Sequence, residues 1–270
     1  MPKGYTVPRT PLGKSSLNPP PPWHYSGDVI GVEFWASPDA TAATLPQGLT
    51  PDPDTNGHAV ALFIDWQFTG SQDEYLDPAR YQYREFLLLV DARYGERRIA
   101  WCPYIFVDND AALARGWIQG FPKRLASVYQ TRSYVAPSKA AAPVAAGGRF
   151  GASMSASGQR LVEARVTLRE SVADPSTLLS RPTVNLRYFP RLSAGQYDQP
   201  AINELVLSIT DDLKVVDAWA GVGTVTFPDA AGEELSALAP VRNGTGFRMG
   251  ISYTVTDLQL LEDLTQRHTG

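Results

Sequence analysis

The sequence predicts a mainly β protein of the α+β class, with antiparallel strands that form either a closed barrel or a two-sheet sandwich. Two observations lead to this prediction. Runs of alternating apolar and polar residues recur along the chain, bounded by Gly, Pro, Asp or Asn turns. Helical patterns, by contrast, are few and short, which disfavours a wound α/β sheet.

The predicted elements follow from these patterns in chain order. Strands are predicted over residues 29–35, 59–68, 84–90, 99–106, 125–135, 149–156, 161–168, 184–189, 205–209, 224–227 and 247–255. Helices are predicted over residues 38–43, 108–118 and 258–266. The segment 136–148 is rich in Ala, Pro and Gly, which predicts an exposed loop.

Length and composition set the domain organisation. The 270 residues suffice for one substantial core, and 43% hydrophobic with 19% charged residues excludes the disordered and fibrous classes. Residues 1–22 are rich in proline, which cannot enter the interior of a sheet, so we expect an N-terminal arm. Residues 23–270 then form a single domain.

Charge, cysteine and histidine content exclude several kinds of site. The net charge of −4, without a basic stretch interleaved with aromatics, argues against a nucleic-acid partner. Cys102 is the only cysteine, and His24, His58 and His268 lack metal-site spacing, so neither a metal nor another cofactor is expected. The N-terminus lacks a signal-peptide pattern, and apolar runs such as 86–90 are too short to span a bilayer. We therefore expect a soluble cytoplasmic protein without a membrane partner.

The segment most informative about function ends in a Phe-Pro-Lys tripeptide, residues 121–123. The preceding residues 108–118 predict a short helix that Asp108 can cap, and Gly120 and the proline end it. Lys123 thus lies on a stiff turn between a helix and a strand. A lysine kept from water there is more easily deprotonated, and a neutral amine can attack a carbonyl. Since most lysines are solvated, the turn alone leaves a surface role open.

This segment resembles the acetoacetate decarboxylase family, whose signature is an Asp-Asn-Glu-like helix start, a small-residue helix and a Tyr/Phe-Pro-Lys tripeptide. Here these features are Asp108-Asn109-Asp110, residues 111–114, and Phe121-Pro122-Lys123. Further segments match the family in order: 24–34 followed by 45–49, 83–88, 182–190 and 203–221. Together the matches extend from about residue 23 to about residue 256.

The resemblance implies a fold and a chemistry. It implies a large antiparallel sheet coiled into a barrel-like cavity, with Lys123 inside as the catalytic lysine that forms a Schiff base. It also implies that Glu85 is a catalytic carboxylate that moves or orients protons, where an ordinary strand glutamate would face solvent. A small oxo-acid substrate and a homo-oligomer are further implications.

The sequence departs from the decarboxylating members of the family at two places. Their Gly-Arg-Glu tripeptide in the helix is absent, and Arg124 stands where a second lysine follows their nucleophile. Arg115 and Gln119 lie one helical turn apart, so a guanidinium and an amide could converge above Lys123. This spacing resembles a branch of the family that condenses or dehydrates pyruvate-like 2-oxo acids, in which an arginine would hold the retained carboxylate. A solvated arginine near the helix C-terminus is the simpler alternative.

The sequence therefore favours a Schiff-base lyase that performs aldol condensation and dehydration of a 2-oxo acid over one that decarboxylates a β-keto acid. A non-covalent cyclase and a ligand-binding barrel stay open as alternatives. The catalytic residues predicted are Lys123 and Glu85. The substrate-binding residues predicted are Arg115, Gln119, Arg124, Tyr83 and Phe121.

Overall fold

The computed structural model describes residues 1–265, and its main feature is one mixed sheet of twelve strands. The strands are β1 Trp23–Trp35, β2 Thr50–Pro51, β3 His58–Thr69, β4 Gln82–Tyr94, β5 Arg97–Val107, β6 Lys123–Leu125, β7 Ser127–Gln130, β8 Arg149–Ala156, β9 Gln159–Ser171, β10 Thr183–Phe189, β11 Ile202–Thr226 and β12 Arg242–Asp263. The α-helices in this part of the chain are α1 Pro38–Ala43, α2 Pro78–Tyr81 and α3 Asp110–Ile118. Across the described range, no helix is long and apolar enough to cross a membrane.

The sheet closes on itself. Hydrogen-bonded strands follow the order β10-β5-β4-β3-β1-β12-β11-β9-β8-β7, and β10 also pairs with β11. This additional pairing makes a ring of the strands from β10 to β11, and the ring surrounds a cavity. Pairing is antiparallel throughout except between β5 and β10 and between β5 and β6. The predicted mainly β fold, a large antiparallel sheet curled around a cavity with few short helices, is confirmed.

Alternation along β3 divides its side chains between the two faces of the sheet. Ala59, Ala61 and Phe63 point outward into a core shared with β7, β8 and β9. Val60, Leu62 and the residues that follow in step with them point into the ring. Both faces of the strand are buried, which explains its long and nearly continuous apolar sequence.

Helix α3 leads into the turn that precedes β6. Its N-cap is Asn109, whose side chain accepts a hydrogen bond from the first helical turn at 2.8 Å. The predicted cap, Asp108, is wrong, because its carboxylate instead accepts the backbone N–H of Arg84 at 2.7 Å. Gly120 ends the helix with a φ of +82°, a left-handed conformation in which glycine carries no steric cost.

One predicted helix is wrong. Residues 258–263 belong to β12, where they pair with β11 from Leu258 opposite Ser208 to Asp263 opposite Glu204. A short apolar run suits a helix and a strand equally, and the long partner strand decides between them. Residue 266, the predicted end of that helix, lies outside the described residues. The predicted strand 125–135 is also wrong in its extent, since β6 ends at Leu125 and β7 covers Ser127–Gln130.

The N-terminal arm lies against its own chain. Residues 1–22 contain an isolated bridge between Lys3 and Thr10 and otherwise run without regular structure. Asn18 is 1% exposed, and its Nδ2 donates to the carbonyl oxygen of Ala111 at 3.0 Å. The arm is therefore fixed to helix α3, directly beside the cavity.

Candidate active site

A cavity of about 590 Å³ fills the interior of the ring. Alternate residues of β1, β3, β4 and β12 line it, together with the segment between β9 and β10. Its deep end holds Lys123 and Glu85, and its other end holds His58, Asp91 and Arg181. The walls between these ends are mostly aliphatic.

Lys123, the first residue of β6, is 6% exposed and lies at the deep end of the cavity. Its Nζ is 2.6 Å from Oε2 of Glu85. Burial lowers the pKa of Lys123 from its usual value and outweighs the opposing effect of the Glu85 carboxylate. The guanidinium of Arg115 lowers the pKa further. These effects favour the neutral amine, which is the nucleophilic form.

Gly116 makes room for the lysine. A Cβ atom at this position would overlap the Cδ atom of Lys123 and lie 2.5 Å from its Cε atom. Gly116 lies in the interior of α3, where glycine is unfavourable relative to alanine by about 1 kcal/mol. Glycine at this position therefore leaves space for the Lys123 side chain, although it lowers the stability of the helix.

Glu85 is held at both carboxylate oxygens. It lies in the middle of β4 and points into the cavity, where Oε2 bonds Lys123 and Oε1 accepts the indole N–H of Trp66 at 3.0 Å. This arrangement fixes the carboxylate next to the amine. Glu85 therefore stays at hydrogen-bond distance from Lys123 without any movement of the backbone.

Arg115 is 1% exposed and lies behind the wall of the cavity. One terminal nitrogen donates to Oδ1 of Asn18 at 2.7 Å, and the guanidinium stacks 3.7 Å from the centroid of the Phe68 ring. By the geometry of its contacts, neither Nε nor Nη2 has a hydrogen-bond partner among residues 1–265. Burial alone would lower the pKa of Arg115, but Tyr25 and Tyr83 are near enough to the guanidinium to raise it. Arg115 does not itself line the cavity, but it lies against the rings of Tyr25 and Tyr83, which do.

Three more of the predicted residues line the cavity. Gln119 caps α3 and donates from Nε2 to the carbonyl oxygen of Arg115 at 3.2 Å. The ring centroids of Tyr83 and Phe121 lie 5.4 and 5.9 Å from Nζ of Lys123. Burial raises the pKa of Tyr83 well above its usual value, so the hydroxyl stays protonated and can donate a hydrogen bond.

Arg124 lies outside the cavity, contrary to the predicted substrate contact. Successive residues of a strand point to opposite faces, so the inward direction of Lys123 turns Arg124 outward. Its guanidinium forms two hydrogen bonds with Glu233, at 2.7 and 2.8 Å, and about half of its side chain is exposed.

The sequence patterns did not identify Tyr25 and Tyr253, which also line the cavity. Their rings stack with centroids 5.1 Å apart, and Tyr253 packs edge-on against Trp66. Burial raises the pKa of Tyr25, and it raises that of Tyr253 well above the usual value. The two residues are directly paired across β1 and β12, a register that alternation in either strand does not reveal.

A second polar group lies at the opposite end of the cavity. Nδ1 of His58 is 2.9 Å from Asp91, and its Nε2 is 3.6 Å from Glu33. Arg181 completes the group with a 3.1 Å ion pair to Asp91. Burial alone would lower the pKa of His58, but hydrogen bonds to Asp91 and Glu33 raise it to about 9.

We expect His58 to make stability depend on pH. Its folded pKa of about 9 exceeds the usual 6.5, so its stabilising effect is complete below about pH 6.5 and disappears as the pH rises through about 9. Allowing for solvent screening, the loss is about 2 kcal/mol in the free energy of unfolding. Urea unfolding near pH 6 and pH 10 should show this decrease in the wild type and not in His58→Gln. Equal decreases in both proteins would contradict the assignment.

The sequence matches a known family over nearly its whole length. The family described as acetoacetate decarboxylase (ADC) matches residues 6–264, a range that includes all of the cavity residues named above. No curated protein sequence gives a significant match.

Solved structures agree in fold. The enduracididine biosynthesis enzyme MppR, complexed with the condensation product of pyruvate and imidazole 4-carboxaldehyde, is 38% identical with a TM-score of 0.90, over 98% of each chain. The structure of MppR complexed with pyruvate is 38% identical with a TM-score of 0.89, over 97% of this chain and 99% of the other. An acetoacetate decarboxylase-like enzyme from Sphingomonas wittichii RW1 is 26% identical with a TM-score of 0.88, over 97% of this chain and 100% of the other.

Proposed function

The chain belongs to the acetoacetate decarboxylase family of enzymes, and we propose that it condenses a 2-oxo acid such as pyruvate with an aldehyde through a Schiff base on Lys123. The observation that carries this proposal is the buried guanidinium of Arg115, which lies against the cavity-lining rings of Tyr25 and Tyr83 and whose Nε and Nη2 have no hydrogen-bond partner among residues 1–265. Unpaired buried donors are costly, and a carboxylate is the acceptor that a guanidinium fits best. MppR, which binds pyruvate and its condensation product in solved structures, supports the same proposal.

The first half of the reaction forms a nucleophile from pyruvate. The neutral amine of Lys123 attacks C2 of pyruvate. The proton shared by Lys123 and Glu85 passes to the former carbonyl oxygen, which leaves as water and gives an iminium ion beside the Glu85 carboxylate. The positive nitrogen withdraws electrons, so Glu85 can remove a proton from the methyl group and leave an enamine. Gln119, which lines the cavity, and Arg115, which lies just behind Tyr25 and Tyr83 in the cavity wall, hold the carboxylate, which the reaction retains.

The second half joins the two substrates. The enamine carbon attacks the carbonyl carbon of the aldehyde, and Glu85 returns its proton to the aldehyde oxygen. Tyr83 and Tyr253 remain protonated and stabilise that oxygen as hydrogen-bond donors. Glu85 then removes a second proton from the same pyruvate carbon and passes it to the hydroxyl group, which leaves as water. Water hydrolyses the iminium, which restores Lys123 and releases an unsaturated 2-oxo acid.

Decarboxylation of acetoacetate is the alternative, because the family shares the lysine and the same iminium would release CO₂. Two assays on the purified protein separate the reactions. Pyruvate with benzaldehyde should give an enone that is detected by its ultraviolet absorbance. Acetoacetate should release CO₂ no faster with the enzyme than in buffer alone. Rapid CO₂ release without enone formation would contradict the proposal and favour the decarboxylase.

Gly116→Ala tests the position of the amine without changing any reacting group. The new methyl group collides with the Lys123 side chain, so we expect kcat to fall by about 10²-fold, as misplacement by about 1 Å does. Helix propensity improves, so the melting temperature should change little. Ala114→Gly, at a half-buried position of the same helix, is the control for a change in helix propensity. Full activity of Gly116→Ala would contradict the assigned position.

A further inference from the structure

The cavity is longer than pyruvate requires. Glu85 lies at the lysine end and Asp91 at the other, and both belong to β4. They lie six positions apart, which corresponds to about 20 Å of strand. Cavities of roughly 300–1,000 Å³ hold drug-sized ligands, and this one measures about 590 Å³. Most of the space is therefore free for a second substrate.

The middle of the cavity is aliphatic. The cavity-facing residues of β3 and β4 between the two ends are Val60, Leu62, Ile64, Leu87 and Leu89. Leu62 and Leu87 face each other across the paired strands. A ligand between them exchanges water for apolar contacts along its length, which favours a hydrocarbon body over a polar one.

The far end is charged but internally compensated. The protonated His58 is paired with Asp91 and Glu33, and Arg181 is paired with Asp91 and Asp52. Arg93 also pairs with Asp52, so positive and negative charges balance and the group as a whole attracts neither sign of charge. Exposed residues lie beside this group, and they border the mouth of the cavity: Asp54, Ser176 and Leu213. A ligand that extends this far ends at water.

We propose that the second substrate is an aldehyde with an extended apolar body, aryl or alkyl, that occupies the cavity from Lys123 towards His58. This inference rests on the proposed condensation. Pyruvate binds first at the deep end, and the aldehyde then fills the remaining length with its carbonyl carbon next to the enamine. The new bond joins these two carbons, and the aldehyde oxygen leaves as water.

A series of straight-chain aldehydes tests the inference, from acetaldehyde to decanal, each with saturating pyruvate. For the wild type, kcat/KM should rise by at least about tenfold across the series, since each buried methylene improves binding. Leu62→Trp and Leu87→Phe both narrow the middle of the cavity, so each should lower the ratio of decanal to acetaldehyde activity. Leu260→Trp, at a position 54% exposed, is the matched control and should keep the wild-type ratio.

Borohydride trapping of pyruvate separates this inference from the function on which it rests. If the wild type is trapped but has the same kcat/KM for every aldehyde, the proposal of an extended apolar aldehyde is overturned. The proposed Schiff base on Lys123 then still stands. Trapping with an unchanged ratio in both narrowed variants also overturns the extended aldehyde. Absence of trapping by the wild type overturns both the acceptor and the condensation.

Discussion

Replacement of Lys123 by alanine should abolish condensation of pyruvate with an aldehyde, with a loss of at least about 10⁴-fold in kcat/KM. The amine is the only protein group in the proposed reaction that forms a covalent bond with the substrate, so the iminium and the enamine cannot form without it. Intact mass after treatment with pyruvate and borohydride measures the same step directly. The wild type should gain one reduced pyruvate adduct, and Lys123→Ala should gain none.

Two further variants make this result specific. Lys123→Arg should be as inactive as alanine, because a guanidinium cannot be deprotonated in a protein. Lys139→Ala removes an exposed lysine and should be labelled like the wild type. A labelled Lys123→Ala protein would exclude Lys123 as the nucleophile, and an unlabelled wild type would favour the non-covalent cyclase or binding protein.

Local patterns in the sequence were sufficient to predict most of the fold and where to look for the site. Alternation predicts a strand over residues 84–90, and the family resemblance assigns Glu85 its catalytic role. The turn at residues 121–123 predicts a fixed lysine. The contact of 2.6 Å between Glu85 and Lys123 was beyond prediction from these patterns, because it depends on β4 and β6 both pairing with β5.

Long-range pairing explains the errors. Residues 258–263 have an apolar pattern that a helix and a strand share, and β11 lies about fifty residues away in sequence. Tyr25 and Tyr253 meet only through the register of β1 and β12. Neither relationship is present in a local window of residues.

The N-terminal arm shows the same limit at the site itself. Its proline content predicts an extended segment, and Asn18 carries no signal that distinguishes it from other loop residues. In the structure its amide oxygen accepts from Arg115, which is 97 positions away in the chain. The arm therefore helps to orient the guanidinium that we propose binds the substrate carboxylate.

Arg115→Ala should raise KM for pyruvate by about 10–150-fold. A charged hydrogen bond contributes about 1.5–3 kcal/mol, and each 1.4 kcal/mol is a factor of ten. The reason is that Nε and Nη2 of Arg115 have no partner among the described residues and would gain one in the carboxylate. Steady-state condensation with benzaldehyde measures KM for pyruvate. Arg115→Lys should restore only part of the wild-type affinity, because an ammonium lacks the planar fork of a guanidinium.

Acetone provides the control, since it forms an iminium but has no carboxylate. Borohydride trapping of acetone should proceed at similar rates in wild type and Arg115→Ala, whereas trapping of pyruvate should weaken in the variant. Equal weakening with both ligands would mean that the loss of Arg115 displaces Lys123 and would contradict carboxylate binding. A strong clamp would oppose decarboxylation, because only interactions that strengthen towards the transition state accelerate a reaction. Unchanged pyruvate trapping in Arg115→Ala would therefore remove the main support for a retained carboxylate and favour the decarboxylase.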